Sequence, residues 1–177
     1  MEVYEAIKLR KSVRAYDKKP IPDEILVRVL EAGRVAPSAN NGQPWHFVVV
    51  GGQEKREVLS KRMFTRFLTE CPVVIVGCGE KDRRHHVVDV SIAMQQMVLA
   101  ATAEGLGTCW IGDFDEKTVQ SLLKIPEKYN VVCLLAMGYP REKFDLTSSL
   151  MRTRSRKNLE NIFSFEEFGN KQSRTRS

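Results

Sequence analysis

The 177-residue chain lacks several features that would assign it to a class at once. Its longest apolar runs are far short of the ~20 residues that span a bilayer, so we expect no membrane helix. No basic segment followed by an apolar one opens the chain, so we expect no secretory signal. No C-x-x-C pair occurs, which excludes a zinc ribbon or a thioredoxin-like motif. Reduced, packed thiols in a cytoplasmic protein are the expected state of the four cysteines, Cys71, Cys78, Cys109 and Cys133.

What is present is the composition of an ordinary globular chain, with 42% hydrophobic and 28% charged residues. We expect a single domain over residues 1–168, with residues 144–168 as a C-terminal arm and residues 169–177 as a disordered tail. The net charge is +6, and much of the excess lies in the last 28 residues, which favours an anionic partner such as a phosphate, a nucleic acid or a membrane surface. The arm carries Phe163, Phe165 and Phe168, which predicts that it packs on its own core or wraps a partner subunit.

Hydrophobic periodicity alternates between helix and strand along the chain. It predicts helices over residues 3–10, 23–35, 54–68 and 89–104, and a further helix from an N-cap at Asp115 to Leu123. Gly105 is expected to end the fourth helix in a left-handed conformation. Short apolar strands are predicted over residues 44–50, 73–76 and 131–137. Helices interleaved with such strands indicate an α+β fold in which a sheet is covered by helices.

Arg10, Ser12 and Arg14 alternate in the sequence, so an extended chain would present all three side chains on one side. Two guanidinium groups and a hydroxyl form a suitable receptor for a phosphate or a ribityl chain. The structural alternative is a solvated basic helix end, where cations also complement the helix dipole.

Two further stretches are candidates for a ligand site. Residues 36–47 read APSANNGQPWHF and join a helix to a strand with small residues and side-chain amides, although a simple turn uses the same residue types. Residues 104–114 contain Gly105-Leu106-Gly107, which does not match a dinucleotide fingerprint, because a helix precedes the glycines and Trp110 stands in the third position. Glycine there still allows backbone N–H groups to approach a ligand closely.

Together the three stretches resemble the FMN-dependent nitroreductase family. The resemblance covers roughly residues 4–50 and 89–140, with a weaker match at 154–165, and rests on R-x-S-x-R-x-[FY], APS-x-x-N-x-QPW and GLGTCWIG in the family's order. It implies a nitroreductase-like α+β fold with a central mixed β-sheet flanked by helices. It also implies an obligate homodimer with FMN at the subunit interface and a C-terminal arm that extends onto the partner subunit.

The resemblance also assigns residues to the cofactor. Arg10 and Ser12, with Lys11 between them, would face the FMN phosphate and ribityl chain. Arg14 would reach the N1/O2 edge of the flavin, where a cation stabilises the reduced form. The flavin bound mainly by the other subunit would be contacted by Pro37, Ser38, Ala39, Asn41 and Gln43. One flavin face would be lined by the backbone of Thr108, Cys109, Trp110, Ile111 and Gly112, with an N–H near Gly112 donating to N5. The phosphate would also be bound by Arg154 and Arg156.

Some positions depart from the family pattern or leave a choice open. Gly112 and Asp113 stand where many larger relatives carry Glu and Gly. No residue in 55–70 clearly matches the family's contact to the flavin pyrimidine edge, and Lys61, Arg62 and Arg66 are all candidates. His85 and Asp89 share one face if helical, but no third metal ligand is evident, so we expect exposed polar residues before a helix and no metal. Asp89 is expected to be an N-cap or a first-turn acid.

The function that the resemblance implies is NAD(P)H-dependent reduction of a nitroaromatic, quinone or flavin by a ping-pong mechanism on FMN. No catalytic acid, base or nucleophile of the hydrolase kind is expected. One alternative keeps the fold for reductive dehalogenation or another flavin-dependent reaction. The other is a basic nucleic-acid-binding domain, although the aromatic residues do not interleave with basic ones as such domains require.

Overall fold

A computed structural model describes residues 1–141 and 156–171 of the chain. The chain divides into two compact units, Met1–Phe144 and Asp145–Ser177. All the strands of the described residues lie in the first unit. Within the described residues, no helix is both long and apolar enough to cross a membrane.

A four-stranded sheet organises the first unit, with β1 at Trp45–Val50, β2 at Val73–Glu80, β3 at Gly107–Ile111 and β4 at Tyr129–Gly138. The strand order is β1-β2-β4-β3, so β1 and β3 are the edge strands. All three strand pairs are antiparallel. The mixed character predicted for the sheet is therefore confined, among the described residues, to an isolated parallel bridge between Ser12 and Thr108.

Helices cover both faces of this sheet. The helices are α1 at Val3–Leu9, α2 at Asp23–Arg34, α3 at Gln53–Leu59, α4 at His86–Ala103 and α5 at Glu116–Leu123. Successive strand side chains point to opposite faces, so Leu134 and Ala136 of β4 enter one core while Leu135 and Met137 enter the other. The second core includes Met94 and Met97 of α4, on which α1 and α2 also pack.

Local signals place most of these elements near their predicted positions. Gly105 has a φ of 76°, the left-handed conformation expected after α4. Asp115 caps α5, since its carboxylate accepts the Thr118 N–H at 2.8 Å. The prediction of a single helix over residues 54–68 is wrong, because α3 ends at Leu59 and a separate 3-10 stretch occupies Met63–Thr69.

Arg56 explains this break. Its guanidinium lies inside the protein, with 8% of the residue exposed, and Nη1 donates to the carbonyl of Thr69 at 3.1 Å. The same nitrogen also donates to the carbonyl of Cys71. A buried cation that binds carbonyls at the end of the 3-10 stretch and just beyond it requires the chain to turn back, which a continuous helix does not allow.

The second unit is described over residues 156–171. It contains a 3-10 turn at Leu159–Asn161 and a backbone hydrogen bond of 2.8 Å from the Phe165 N–H to the Asn170 carbonyl. Apolar side chains are exposed on this unit, among them Phe163, Phe165 and Phe168. Residues 144–155 of the predicted arm lie outside the described part of the chain.

All four cysteines are buried thiols. Burial raises the pKa of Cys71 and of Cys133 from 9.0 to about 12, and that of Cys78 to about 11. The unfolded chain releases these protons at a lower pH than the folded protein, so the stabilisation is present below about pH 9 and is lost as the pH rises toward the folded values.

We therefore expect the urea midpoint of unfolding to fall as the pH rises from about 8 to about 11. Cys133→Ala is expected to reduce the slope of this fall, because one buried thiol no longer opposes ionisation. Chemical denaturation of both proteins at each pH measures the slopes. Equal slopes in the two proteins would contradict the raised pKa of Cys133 as a cause of the fall.

Candidate functional site

The segment that carries Arg10, Ser12 and Arg14 lies extended along the edge strand β3. The Val13 N–H donates to the Thr108 carbonyl at 2.8 Å, next to the parallel bridge between Ser12 and Thr108. Helix α1 ends at Leu9 with Arg10 as its C-cap, so the structural alternative of a basic helix end describes Arg10 but not Ser12 or Arg14. Two of the three motifs singled out in the sequence are thus joined by a backbone hydrogen bond.

Tyr16 attaches this segment to the protein core. Its side chain is fully buried, and its hydroxyl donates to the Val13 carbonyl at 2.6 Å. Burial, more than any neighbouring charge, holds the pKa of Tyr16 well above its usual value, so the hydroxyl keeps the proton that it donates. Backbone bonds from Asp17 to Tyr139 and from Arg141 to Ala15 continue the attachment to the end of β4.

The close approach of this segment to β3 depends on Gly107. A Cβ at that position would lie 2.7 Å from Cγ2 of Val13 and 2.9 Å from its Cβ, closer than side chains tolerate. No such atom is present in glycine, so Val13 can reach the Thr108 carbonyl.

Gly107→Ala should therefore lower the free energy of unfolding by about 1–3 kcal/mol, as overpacking does. It should also speed hydrogen exchange at the Val13 amide, because the added methyl group displaces the segment from β3. Gly51→Ala is the matched control, since a Cβ there meets nothing within 4 Å. Equal behaviour of the two variants would show that the contact with Gly107 is not tight.

The side chains of Arg10, Ser12 and Arg14 lie beside the contact between this segment and β3. Arg10 and Arg14 are half-buried and Ser12 is exposed. Within residues 1–141 and 156–171, no carboxylate forms an ion pair with either arginine.

The β3 segment itself presents mainly backbone. Thr108, Cys109 and Ile111 are buried, Trp110 is half-buried, and Gly112 is exposed. A Cβ at Gly112 would meet nothing within 4 Å, so a flat ligand has room to approach its backbone N–H. The contact of this segment with a flavin face stays a prediction.

An ion pair between Arg62 and Asp113 joins the start of the 3-10 stretch to the end of β3. Of the three basic candidates in the 55–70 region, Arg62 is the one with an ion pair to the residue that follows Gly112, and the contact to the flavin pyrimidine edge stays a prediction. Sequence spacing gave no signal for this ion pair, because its partners are 51 residues apart.

The loop predicted to contact flavin lies between α2 and β1. Its backbone adopts positive φ at Asn40, Asn41 and Gln43, with values of 52°, 52° and 47°. The Gln43 N–H donates to Oγ of Ser38 at 2.9 Å, which closes the loop upon itself. Most of its residues are exposed, namely Pro37, Ala39, Asn40, Asn41, Gly42 and Gln43.

This loop and the arginine segment are at opposite edges of the sheet. The loop leads into β1, whereas the arginine segment pairs with β3, and β2 and β4 lie between them. Three strand spacings separate the edges by roughly 14 Å. The two are also at opposite ends, because Trp45 aligns with Gly79 and Asn130, whereas Gly107 aligns with Gly138. One chain therefore does not bring these two predicted halves of the site together.

The remaining predicted residues are near the C-terminus. Arg154 lies outside the described residues, and Arg156 is exposed in the second unit. The candidate metal residue Asp89 is buried in α4, where its carboxylate accepts the Ala39 N–H at 3.1 Å. Asp89 is thus a first-turn acid of α4, and His85 occupies the N-cap position.

Comparison with known proteins agrees with these features. The sequence profile of the nitroreductase family matches residues 7–68 and 53–139, which include the arginine segment, the loop and β3. The chain belongs to the nitroreductase family. The match ends before Arg154 and Arg156, so the family assignment rests on the first unit.

Individual nitroreductase relatives cover most of the chain. A Methanothermobacter thermautotrophicus protein described as an NADH dehydrogenase/NAD(P)H nitroreductase is 35% identical over 151 residues, covering 80% of this chain and 79% of its own. An iodotyrosine deiodinase of Thermotoga neapolitana is 29% identical over 164 residues, with coverage of 78% and 88%. The crystal structure of a Bacteroides fragilis nitroreductase with bound FMN is 29% identical, with a TM-score of 0.77 and coverage of 94% and 100%.

Proposed function

We propose that the protein is an FMN-dependent oxidoreductase that uses NAD(P)H to reduce an electron-poor acceptor such as a nitroaromatic, a quinone or a flavin. The observation that carries the proposal is the hydrogen bond of 2.8 Å between Val13 and Thr108, which joins the arginine segment to the backbone of β3. Family membership and the FMN in the related Bacteroides fragilis structure support the choice of cofactor.

The residues present fit FMN in charge and in shape. Arg10 and Ser12 would bind the phosphate and ribityl chain, with Lys11 exposed beside them. Arg14 would lie at the N1/O2 edge, and the backbone of residues 108–112 would line one face of the ring, with the Gly112 N–H directed to N5. Bound FMN supplies the chemistry by accepting hydride from NAD(P)H and passing the electrons to the acceptor.

The protein's own part in this reaction is binding, orientation and electrostatics. A Cβ at Gly112 would meet nothing within 4 Å, and this open space would leave one ring face accessible to NAD(P)H and the acceptor in turn, as ping-pong kinetics require. Arg14 would stabilise the negative charge of the reduced flavin at the N1/O2 edge. The Arg62–Asp113 ion pair neutralises the carboxylate nearest to Gly112.

A homodimer would complete the site. The separation of the loop from β3 supports this assembly, because a loop from a second copy supplies the residues 37–43 that the first copy holds at its far edge. Exposed apolar side chains on two helices that pack together support it as well: Val3 and Ile7 of α1, and Val88 and Ile92 of α4. Spacings of four residues place each pair on one helix face.

The C-terminal arm would extend onto the partner subunit in this dimer. Its exposed apolar side chains, among them Leu159, Phe163 and Phe168, need a surface to cover them. Arg156, together with Arg154, would then bring positive charge to the FMN phosphate. Removal of residues 156–177 is the direct test of the arm, with sedimentation and FMN content as readouts.

A second candidate reaction is reductive dehalogenation on the same flavin. The observation in its favour is the similarity to the iodotyrosine deiodinase of Thermotoga neapolitana. The two reactions differ in acceptor, so parallel assays with a nitroaromatic, a quinone and a halogenated phenol distinguish them.

The visible spectrum of the purified protein, with the mass of the released chromophore, tests the proposal. A yellow two-band spectrum and the mass of FMN are expected, followed by turnover with NADH or NADPH. A colourless protein that also fails to bind added FMN contradicts it. Steep salt-dependent binding to random DNA by such a protein would favour the nucleic-acid alternative instead.

A further inference from the structure

A buried carboxylate on α4 reaches the loop that precedes β1. Asp89 is 4% exposed, and its Oδ1 accepts the backbone N–H of Ala39 at 3.1 Å, across 50 positions of sequence. Neither the family resemblance nor any motif assigns a role to this residue. A carboxylate acceptor makes a stronger bond to a backbone N–H than a neutral oxygen does.

The loop that it contacts is held mostly by bonds within itself. The Asn41 N–H donates to the Ser38 carbonyl at 2.9 Å, and the Gln43 N–H donates to Oγ of Ser38 at 2.9 Å. These bonds close the loop but do not attach it to the rest of the fold. Across residues 37–43, which are all described, the bond to Asp89 is the one hydrogen bond to another helix or strand.

The backbone of the loop needs such support. Asn40, Asn41 and Gln43 all adopt positive φ, a region that non-glycine residues enter at an energetic cost and keep only when their surroundings hold them there. Released from its anchor, the loop would gain access to more favourable conformations. The Ala39 N–H lies immediately before the first of these residues and is therefore an effective point of attachment.

We propose that Asp89 is a positioning residue, which fixes the conformation of residues 38–43 so that they meet the flavin of the partner subunit. The inference rests on the proposed function, since that function places the loop on the flavin. It also connects two features of one helix, because Val88 and Ile92, which lie on either side of Asp89, are exposed apolar residues of α4, as is Val87. Contact between subunits at this helix would then bring the anchored loop to the partner's site.

Two substitutions test the role. Asp89→Ala removes the acceptor, whereas Asp89→Asn keeps an oxygen that can accept the Ala39 N–H but removes the charge. Ser91→Ala is the matched control in the same helix, since it removes a hydrogen bond of 2.7 Å to the Val87 carbonyl without touching the loop. Hydrogen exchange at the Ala39 amide of FMN-free protein is the first readout, and FMN affinity of the dimer is the second.

We expect Asp89→Ala to speed exchange at Ala39 and to weaken FMN binding, each by about tenfold, which is the loss of one charge-assisted hydrogen bond. Asp89→Asn should restore both to within about threefold of the parent, and Ser91→Ala should change neither. If Asp89 only stabilised the fold, Asp89→Ala would lower the midpoint of unfolding. The difference between the free energy of exchange at Ala39 and the free energy of global unfolding would then be the same as in the parent.

Two results overturn the proposal. One is unchanged exchange at Ala39 in Asp89→Ala, and the other is faster exchange with unchanged FMN affinity. Failure of the proposed function has a different signature, because the parent protein itself would then bind no FMN. Thermal unfolding of each variant confirms that it is folded before either readout is taken.

Discussion

Arg14→Ala is expected to weaken FMN binding by about 10- to 100-fold, the usual range for loss of one hydrogen bond to a charged group. The residue lies on the segment that Val13 attaches to β3, is half-buried, and forms no ion pair with any carboxylate of the described residues. Its charge is therefore available to the flavin. Reduction should also become less favourable, because Arg14 no longer offsets the negative charge at the N1/O2 edge.

Titration of stripped protein with FMN and a redox titration of the bound flavin measure these two effects. Arg34→Ala is a suitable control, since Arg34 is an exposed arginine of α2 already paired with Glu31. It should leave both values unchanged. An Arg14→Ala protein with the parent's FMN affinity and midpoint potential would remove Arg14 from the site.

Introducing charge on α4 is expected to have the second large effect. Val88 and Ile92 are 56% and 37% exposed on one face of the helix, and the double substitution Val88→Glu with Ile92→Glu places two carboxylates where the proposed interface excludes water. Dimerisation should be lost at micromolar protein concentration. FMN should be lost with it, because each site would lack the loop of a second copy.

Sedimentation velocity and flavin absorbance of the same samples test this expectation together. Val27→Glu introduces a carboxylate at another exposed apolar position, on α2, and should leave a flavin-loaded dimer. A folded double variant that remains dimeric contradicts the proposed interface. A monomer that keeps its FMN contradicts the shared site, because one chain would then bind the flavin alone.

The elements that were predictable are those with a strong local signal. The continuous apolar runs of β2 and β4 indicate strands buried on both faces, and the structure extends both beyond their predicted ends. The alternation of Arg10, Ser12 and Arg14 indicates an extended segment, and Ser12 does form a bridge with Thr108. In these segments the local sequence and the tertiary contacts favour the same backbone conformation.

The features that escaped prediction depend on residues distant in sequence. Strand β3 is five residues long and begins at a glycine, so its pairing with β4 rather than its own composition makes it a strand. Arg56 interrupts the helix predicted over 54–68 by binding carbonyls beyond it. The contacts from Arg62 to Asp113 and from Asp89 to Ala39 each span about 50 positions, and no spacing rule for helices or strands reaches that far.

Complementation between two defective subunits tests the shared flavin site most directly. Arg14→Ala impairs the segment beside β3, and Asn41→Ala with Gln43→Ala impairs the loop, so that neither homodimer holds FMN at a limiting concentration. A mixed dimer purified through two different tags has one site carrying every defect and one site carrying none. The account predicts one FMN per mixed dimer, whereas mixed dimers as empty as both parents would show that each flavin is bound within a single chain.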